Sequence, residues 1–175
     1  RAKLVRNSHR GRGAALRAGM AAATGDVLVT VDADLSYGPE EIRKLYAHLK
    51  AHPECDLVIG SCWMPGGSVE GVPPFRAWVS RTGNWVLSHA FHGRFHTTTG
   101  VLRGYRKKKI GPLLPSVVSD GKEFHLEVLD RALQAGQEAR EIPATLVWKR
   151  DGGGRPVSVR TILSHLGFLA THRGT

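Results

Sequence analysis

The chain reads as an α/β domain with a mostly parallel sheet and a ligand site at the strand ends. Three observations predict this. Val27 to Val31 is an almost uninterrupted apolar run, rich in β-branched residues and bounded by Gly25 and by acids, the pattern of a strand buried on both faces. Asp56-Leu-Val-Ile-Gly60 repeats that pattern. Between them Ile42, Leu45, Tyr46 and Leu49 fall at i, i+3, i+4 and i+7, which predicts a helix with one buried face and hence a right-handed βαβ unit.

The carboxyl end of the first run carries Asp32 and Asp34. Ligands of open α/β sheets bind outside that end of the strands. Two carboxylates one residue apart repel each other unless a cation or a proton intervenes. Mg²⁺ and Mn²⁺ remove that cost, because they take oxygen ligands and are often held by one or two carboxylates plus substrate phosphates. The bland alternative is a pair of solvated turn aspartates.

The 175 residues amount to one domain, with 25 Lys+Arg against 15 Asp+Glu and a net charge of +10. That balance favours an anionic partner: a phosphorylated substrate, anionic lipid or nucleic acid. No apolar run is long enough to span a bilayer, and the opening residues do not read as a secretory leader. Cys55 and Cys62 form no Cys-x-x-Cys, so reduced thiols are expected rather than a zinc knuckle or redox pair.

The remaining elements follow from local pattern. Asn7 to Gly13 is a glycine-punctuated loop carrying Arg10 and Arg12, and Ala14 to Ala23 is an alanine-rich helix. Gly11 and Gly13 suit either a phosphate loop or a plain turn. Pro39, Glu40 and Glu41 open the helix that Pro53 stops. Met64 to Pro74 is a long Gly/Pro-rich loop. Arg76 to Ala90 predicts an amphipathic helix with Val79, Gly83, Val86, Leu87 and Ala90 on one face; Trp78 and Trp85 suit a membrane interface or a core equally. His96 to Gly100 is a polar turn before a strand over Val101–Arg106, and Lys107 to Lys109 a solvated basic cluster. Glu123 to Ala135 is a helix with Phe124, Val128, Leu129 and Ala132 inward. Glu141 to Arg150 alternates as one strand with Ile142, Ala144, Leu146 and Trp148 on one side, a glycine-rich loop follows, and Val159 to Leu169 is a last helix. There are no repeats and no linker to a second domain.

In order along the chain, these segments resemble the family 2 glycosyltransferases of the GT-A fold, closest to the dolichol- and polyprenol-phosphate sugar transferases. The resemblance rests on Asn7 with Gly11-Arg12-Gly13-Ala14 and Gly19; Ala23-Thr24-Gly25-Asp26; Asp32-Ala33-Asp34-Leu35-Ser36 with Pro39-Glu40; Ile59-Gly60-Ser61; Arg76, Ser80 and Asn84; Thr99-Gly100 with Arg103-Gly104-Tyr105-Arg106; Phe124 and Glu127; and Glu141-Ile142-Pro143 with Arg150. It implies a three-layer α/β/α domain and an inverting transfer of mannose or glucose from a nucleotide-diphosphate sugar, GDP-mannose or UDP-glucose, to a polyprenol phosphate.

The same resemblance implies roles. Asp34, with Asp32 and Ser36, would hold Mg²⁺ or Mn²⁺; Gly11, Arg12, Gly13 and Asp32 would meet the donor; Arg76, Ser80 and Arg150 would hold the acceptor phosphate, with Asp34 and Arg150 the catalytic pair. It places the protein peripherally at the cytoplasmic membrane face. Three positions depart from the family: Cys62 stands where an arginine is usual, His96 where an aspartate is usual, and Gly153-Gly154-Arg155-Pro156 where Gly-x-Ser-Lys is usual. Neither His96 nor Glu127 receives a role. The family's first strands, with the nucleoside pocket, are expected to be missing, so the chain is read as a fragment that binds donor poorly. The competing readings are a non-catalytic basic module binding membrane or nucleic acid, and a family 2 transferase with another acceptor; the absence of a stacked-aromatic RNA-binding motif weighs against nucleic acid.

Overall fold

The computed structural model describes residues 3–8 and 11–149; the expected helix over Val159–Leu169, the glycine-rich loop before it, Arg10 and Arg150 lie outside the described residues. The elements are α1 (Arg12–Ala22), β1 (Val27–Thr30), α2 (Pro39–Ala51), β2 (Leu57–Ser61), β3 (Ser68–Glu70), α3 (Pro74–Ser88), β4 (Arg103–Arg106), α4 (Lys107–Ile110), α5 (Phe124–Gln134), β5 (Ala139–Pro143) and β6 (Thr145–Val147), with short 3₁₀ turns at His89–Phe91 and Gly111–Ser116.

The main sheet has the order β1-β4-β2-β5. β2 and β5 pair in parallel, and β1 shares their direction. β4 is reversed and sits between β1 and β2, so the βαβ unit closes around it without its strands touching. The registers align Leu28, Tyr105, Leu57 and Ala139 in one row across all the strands. That row packs under α1 and α5 with Met20, Phe124, Val128, Leu129 and Ala132. The next row, with Val29 and Val58, faces α2 and its fully buried Leu45 and Leu49. Helices therefore cover both faces, the expected three layers. Gly104 lies in that second row, where a Cβ would crowd Val58 and Leu49; α2 can settle onto the sheet because none is there.

Four local expectations change. Tyr46 is half exposed; the buried stripe of α2 takes in Glu41 instead, whose carboxylate accepts from Lys44 Nζ (2.8 Å) and from the Thr145 amide (3.3 Å). The Met64–Pro74 loop contains β3, which pairs with β6 in a second, two-stranded sheet. The single strand expected over Glu141–Arg150 breaks at Ala144 into β5 and β6, although Ile142, Ala144 and Leu146 keep a common side against α2. The break falls where Ala144 changes partner: its amide donates to the Ser61 carbonyl (3.0 Å) and its carbonyl accepts from the Ser68 amide (3.1 Å), handing the chain from β2 to β3. Finally, α3 buries Asn84, Leu87 and Ser88, whereas Val86 stands exposed.

The third row of the sheet carries Thr30, Arg103, Ile59 and Glu141 at the carboxyl end of the parallel strands. Arg103 is fully buried. Its guanidinium donates to the carbonyls of Gly100 (3.0 Å), His125 (2.8 Å) and Thr98. Replacing Arg103 with Leu strips these carbonyls of their donors, and is expected to destabilise the fold by about 3 kcal/mol or more in urea titration, at unchanged m-value.

His125 is buried beside Arg103, with Nδ1 3.3 Å from the Tyr105 hydroxyl and Nε2 unpaired. Burial, and then the Arg103 charge, hold its imidazole well below the ordinary range. The unfolded chain thus takes up the proton first. The stability contributed by neutral His125 is complete above about pH 6.5 and falls as the solution is acidified below it. Partial burial and His52 give His48 a lowered value and the same sign, while Asp34 and Glu127, also lowered, act only at more acid pH. Urea titrations between about pH 7 and pH 5 are expected to show a smaller loss of stability in His125→Leu than in the parent.

Candidate active site at the strand ends

The chain leaves β1 into a tight turn. The Leu35 amide bonds the Asp32 carbonyl (3.2 Å), and Leu35 takes φ 56, a left-handed conformation that costs a bulky residue free energy. That strain turns Asp34 outward. Its Oδ1 accepts from Ser36 Oγ (2.7 Å) and the Ser36 amide (2.9 Å). The Ser36 hydroxyl bond, then the amide bond, hold the Asp34 carboxyl below its usual range. Asp32, more enclosed, behaves oppositely: burial pushes its carboxyl up, the Arg12 guanidinium opposes this, and Asp34 adds to it. An acid pair split in this way is one in which a cation would remove the repulsion.

A cavity of about 570 Å³ opens along the free edge of β1, with Arg12, Leu16, Met20, Val29, Asp32 and Val101 among its walls. Arg12 Nε is buried there without a hydrogen-bond partner. Arg12 and Asp32, expected to meet the donor, are thus brought together. Gly11 and Gly13 have a packing reason of their own. A Cβ at Gly11 would collide with the backbone of Asp120, and one at Gly13 with that of Ser119 and Asp120; Gly11 also takes φ 132. The Gly13 amide donates to the Asp120 carbonyl (2.8 Å).

Glu127 holds that opposing segment. Its carboxylate accepts from the amides of Ser119 (2.8 Å) and Val118 (3.1 Å), and Arg131 lies 3.3 Å away. Burial by itself would raise the Glu127 carboxyl, but these bonds outweigh it and leave it lowered. Arg17 reaches the same segment, pairing with Asp120 and the Val117 carbonyl. Glu127 therefore supports the wall against which α1 begins.

Cys62, just past β2, is a buried free thiol between Tyr37 and Thr97, and burial pushes it up. It places no cation at that strand end. His96 sits across from it with its side chain half exposed. Glu141, nearly buried, accepts from His96 Nδ1 (2.9 Å), the His96 amide (2.8 Å) and the Thr97 amide (2.7 Å). This fixes the proton on Nδ1 and turns Nε2 outward. Asn84 completes the arrangement: its Oδ1 accepts from the Thr98 amide (2.8 Å) and the Thr99 amide (3.2 Å), tying α3 to the strand ends.

Arg76 begins the arc of α3 that faces the body of the protein. Its guanidinium lies 5.0 Å over the Trp148 ring, a cation–π contact. Ser80, one turn on, is exposed. The chain after β6 joins this arginine to the acid turn: the Val147 amide donates to the Ser36 carbonyl (2.8 Å), and the Lys149 charge acts on Asp34. Trp148, Lys149 and Glu141 lie along this rim, and the sequence pattern does not mark them as part of it. Alternation marks Ile142, Ala144 and Leu146 as the inward set, but nothing in it shows that the strand breaks and carries its tail across to Asp34.

Among the described residues no three or more His, Cys, Asp or Glu side chains gather as a metal cluster. The donor set itself suits a hard cation of the Mg²⁺ type: two carboxylates one residue apart, one of them held in its ionised form by Ser36, would leave the remaining ligands to substrate oxygens and water, while the unpaired Arg12 Nε is a donor suited to an anionic group.

Comparison with known proteins gives this geometry its family. The pattern described as glycosyl transferase family 2 matches residues 1–113. The chain is 34% identical over 127 residues to the polyprenol monophosphomannose synthase of Mycolicibacterium smegmatis, covering 72% of this chain and 47% of that protein. It is 32% identical over 128 residues to the undecaprenyl-phosphate mannosyltransferase of Micrococcus luteus, covering 73% and 51%. It thus spans about half the length of these relatives. Among solved structures, a mycobacterial protein shares the fold at TM-score 0.64 and 20% identity, covering 91% of this chain and 52% of that one. Glucosyl-3-phosphoglycerate synthase of Mycobacterium tuberculosis, crystallised with Mn²⁺, uridine diphosphate and glucosyl-3-phosphoglycerate, shares it at TM-score 0.59 and 18% identity, covering 91% and 56%. The fold is the GT-A arrangement, and the chain belongs to glycosyl transferase family 2.

Proposed function

We propose that this chain is the catalytic portion of an inverting transferase that moves a hexose from a nucleotide-diphosphate sugar to a polyprenol phosphate at the cytoplasmic face of a membrane. The observation that carries the reading is the bridge from acid turn to arginine: Val147 bonded to Ser36, Lys149 acting on Asp34, and Trp148 under Arg76. One rim thereby offers carboxylates for a cation and, a few residues away, a guanidinium for a phosphate. The names of the two curated relatives support mannose as the sugar and a polyprenol phosphate as the acceptor. Either GDP-mannose or UDP-glucose suits the site, since the described residues include no group committed to one base.

The chemistry follows from charge. An oxygen of the acceptor phosphate attacks the anomeric carbon, and the bond from that carbon to the diphosphate breaks on the opposite face. The nucleophile is already ionised near neutrality, so it needs orientation rather than a general base. Arg76 supplies a forked donor for it, held flat by Trp148, and Arg150 is proposed as a second. Arg12 and Lys149 face the donor side. Mg²⁺ or Mn²⁺, held by Asp34 and Asp32, would offset the charge growing on the leaving diphosphate. Ser36 keeps Asp34 ionised and aimed, so its part is to position the ligand rather than to be one.

Transfer of labelled hexose to a detergent-dispersed polyprenol phosphate tests the reading. Asp34→Asn is expected to lower kcat by about a hundredfold or more, with only a small fall in melting temperature because position 34 is exposed and the Asn carbonyl still accepts from Ser36. A near-parental rate would remove the acid pair from the mechanism. Arg76→Ala is expected to raise the acceptor KM about tenfold while leaving the donor KM alone, and Trp148→Ala to shift it in the same direction by less. An unchanged acceptor KM in both variants would place the acceptor elsewhere.

A further inference from the structure

One ordered side chain at the strand ends takes no part in the transfer chemistry. His96 stands on the turn that crosses the carboxyl ends of the parallel strands, half exposed. Its backbone is fixed on both sides. Glu141 accepts from the His96 amide (2.8 Å) and the Thr97 amide (2.7 Å), Thr97 Oγ1 lies 2.8 Å from Ser61 Oγ, and Asn84 accepts from the Thr98 amide (2.8 Å). The ring is fixed as well, because the nearly buried Glu141 carboxylate lies 2.9 Å from Nδ1. A carboxylate behind one ring nitrogen holds a proton there, sets the direction of the other nitrogen, and stabilises the ring when it gains a second proton. A solvated surface histidine needs none of these supports.

The groups around the ring set its charge balance. Glu141 of β5 is the acid behind it. Arg103 of β4 is buried below the same turn, with donors on the carbonyls of Gly100, His125 and Thr98. Arg94, two residues earlier, lies over the Phe95 ring (5.5 Å). Cys62, past β2, is a thiol pushed up by burial and brings no charge. From α3 comes Asn84, which is neutral. An imidazole backed by one acid and open on its far side suits an anion whose own proton is exchangeable near neutrality. A phosphomonoester is such an anion: its second pKa is about 6, so it carries nearly two charges at neutral pH. A phosphodiester carries one charge and has no proton left to give. An imidazolium attracts the first about twice as strongly as the second.

We propose that His96 reads the charge of the acceptor: its outward Nε2, on a ring backed by Glu141, pairs with a terminal phosphomonoester and discriminates against the phosphodiester that sugar transfer leaves. This rests on the proposed transferase reading. A monoester still holding its second proton passes it to Nε2, which leaves a dianion facing an imidazolium. Once an oxygen of that phosphate is bonded to the sugar, one charge is gone, the pair weakens, and the ring returns its proton to water. His96 thereby favours acceptor over product and leaves the sugar and the diphosphate to the acid turn.

The test reads binding, with the full chain and no sugar donor. Farnesyl phosphate, a monoester, and methyl farnesyl phosphate, the matching diester, are titrated in detergent micelles while NMR follows the His96 ring against pH. The expected results are about tenfold tighter binding of the monoester near neutral pH, and a His96 titration displaced upward by about one unit with the monoester but not with the diester. Because the complex holds the extra proton, the preference is expected to fall as pH rises through that displaced value. His96→Asn keeps an N–H for Glu141 and removes Nε2, so it is expected to abolish both the preference and its pH dependence at unchanged melting temperature. His96→Gln, whose amide cannot gain a proton, is expected to lose the pH dependence as well. A preference that survives in His96→Asn makes the ring a structural link and overturns the proposal. Equal binding of the two esters by the parent overturns it, as does no binding of the monoester. Failure of the transferase reading shows differently: the monoester preference intact, with no sugar transferred to detergent-dispersed polyprenol phosphate.

Discussion

The structure depends on one buried charge. Arg103 lies within the sheet, fully buried, and burial pushes its guanidinium down. A charge in that position is tolerated only when its donors are used, and here they bind backbone carbonyls on both sides of the strand. Two of those carbonyls belong to the Thr98–Gly100 turn that crosses the ends of the parallel strands, and the third belongs to α5. The guanidinium therefore fixes the turn to the helix layer. Asn84 from α3 and Glu141 from β5 then bind the amides of the same turn. Three elements remote in sequence are thereby referred to one point.

That point sets where the rest of the rim can be. With the turn fixed, Cys62 packs against Thr97 and Tyr37, and the hydroxyl of Ser61 meets that of Thr97 at 2.8 Å. His96 is left facing outward, its Nδ1 bound to Glu141. On the other flank the strained Leu35 turn presents the acid pair, and β6 holds the turn from behind through Ser36. The polar groups divide into two sets. Asn84, Arg103, Glu127 and Glu141 spend their hydrogen bonds on backbone and are structural supports. Asp32 and Arg12 line a cavity, Asp34 stands exposed on the rim, and Arg76 lies over the Trp148 ring; these are the groups the proposed function uses.

The reversed polarity of α3 belongs to the same design. Its inner arc is polar because the strand-end turn needs Asn84 as an acceptor for two amides, which no apolar side chain supplies. Leu87 shares that arc, while Phe75, Trp78, Trp85 and Val86 lie on the outer one. Of the stripe expected through Val79, Gly83, Val86, Leu87 and Ala90, Leu87 is buried as expected while Gly83 and Val86 are exposed. Hydrophobic periodicity assumes that a helix buries its apolar face, whereas here hydrogen-bond satisfaction outranked area burial.

Much was determined by sequence alone. The apolar runs at Val27 and Leu57, the stripe through Leu45 and Leu49, and the set Phe124, Val128, Leu129 and Ala132 each carry their burial in local pattern, because period and propensity act within a few residues. So does the placement of Asp32 and Asp34 at a strand end. Other features were decided only in three dimensions. The insertion of β4 between β1 and β2, the break at Ala144 that brings Lys149 to Asp34 and Trp148 beneath Arg76, and the exposure of Tyr46 follow from pairings across scores of residues. The glycines at 11 and 13 illustrate the division well: a loop reading accounts for their presence, but only the approach of Ser119 and Asp120 shows what a side chain there would strike. Local composition specifies which groups are available, whereas long-range backbone pairing and the satisfaction of buried charge specify which of them meet.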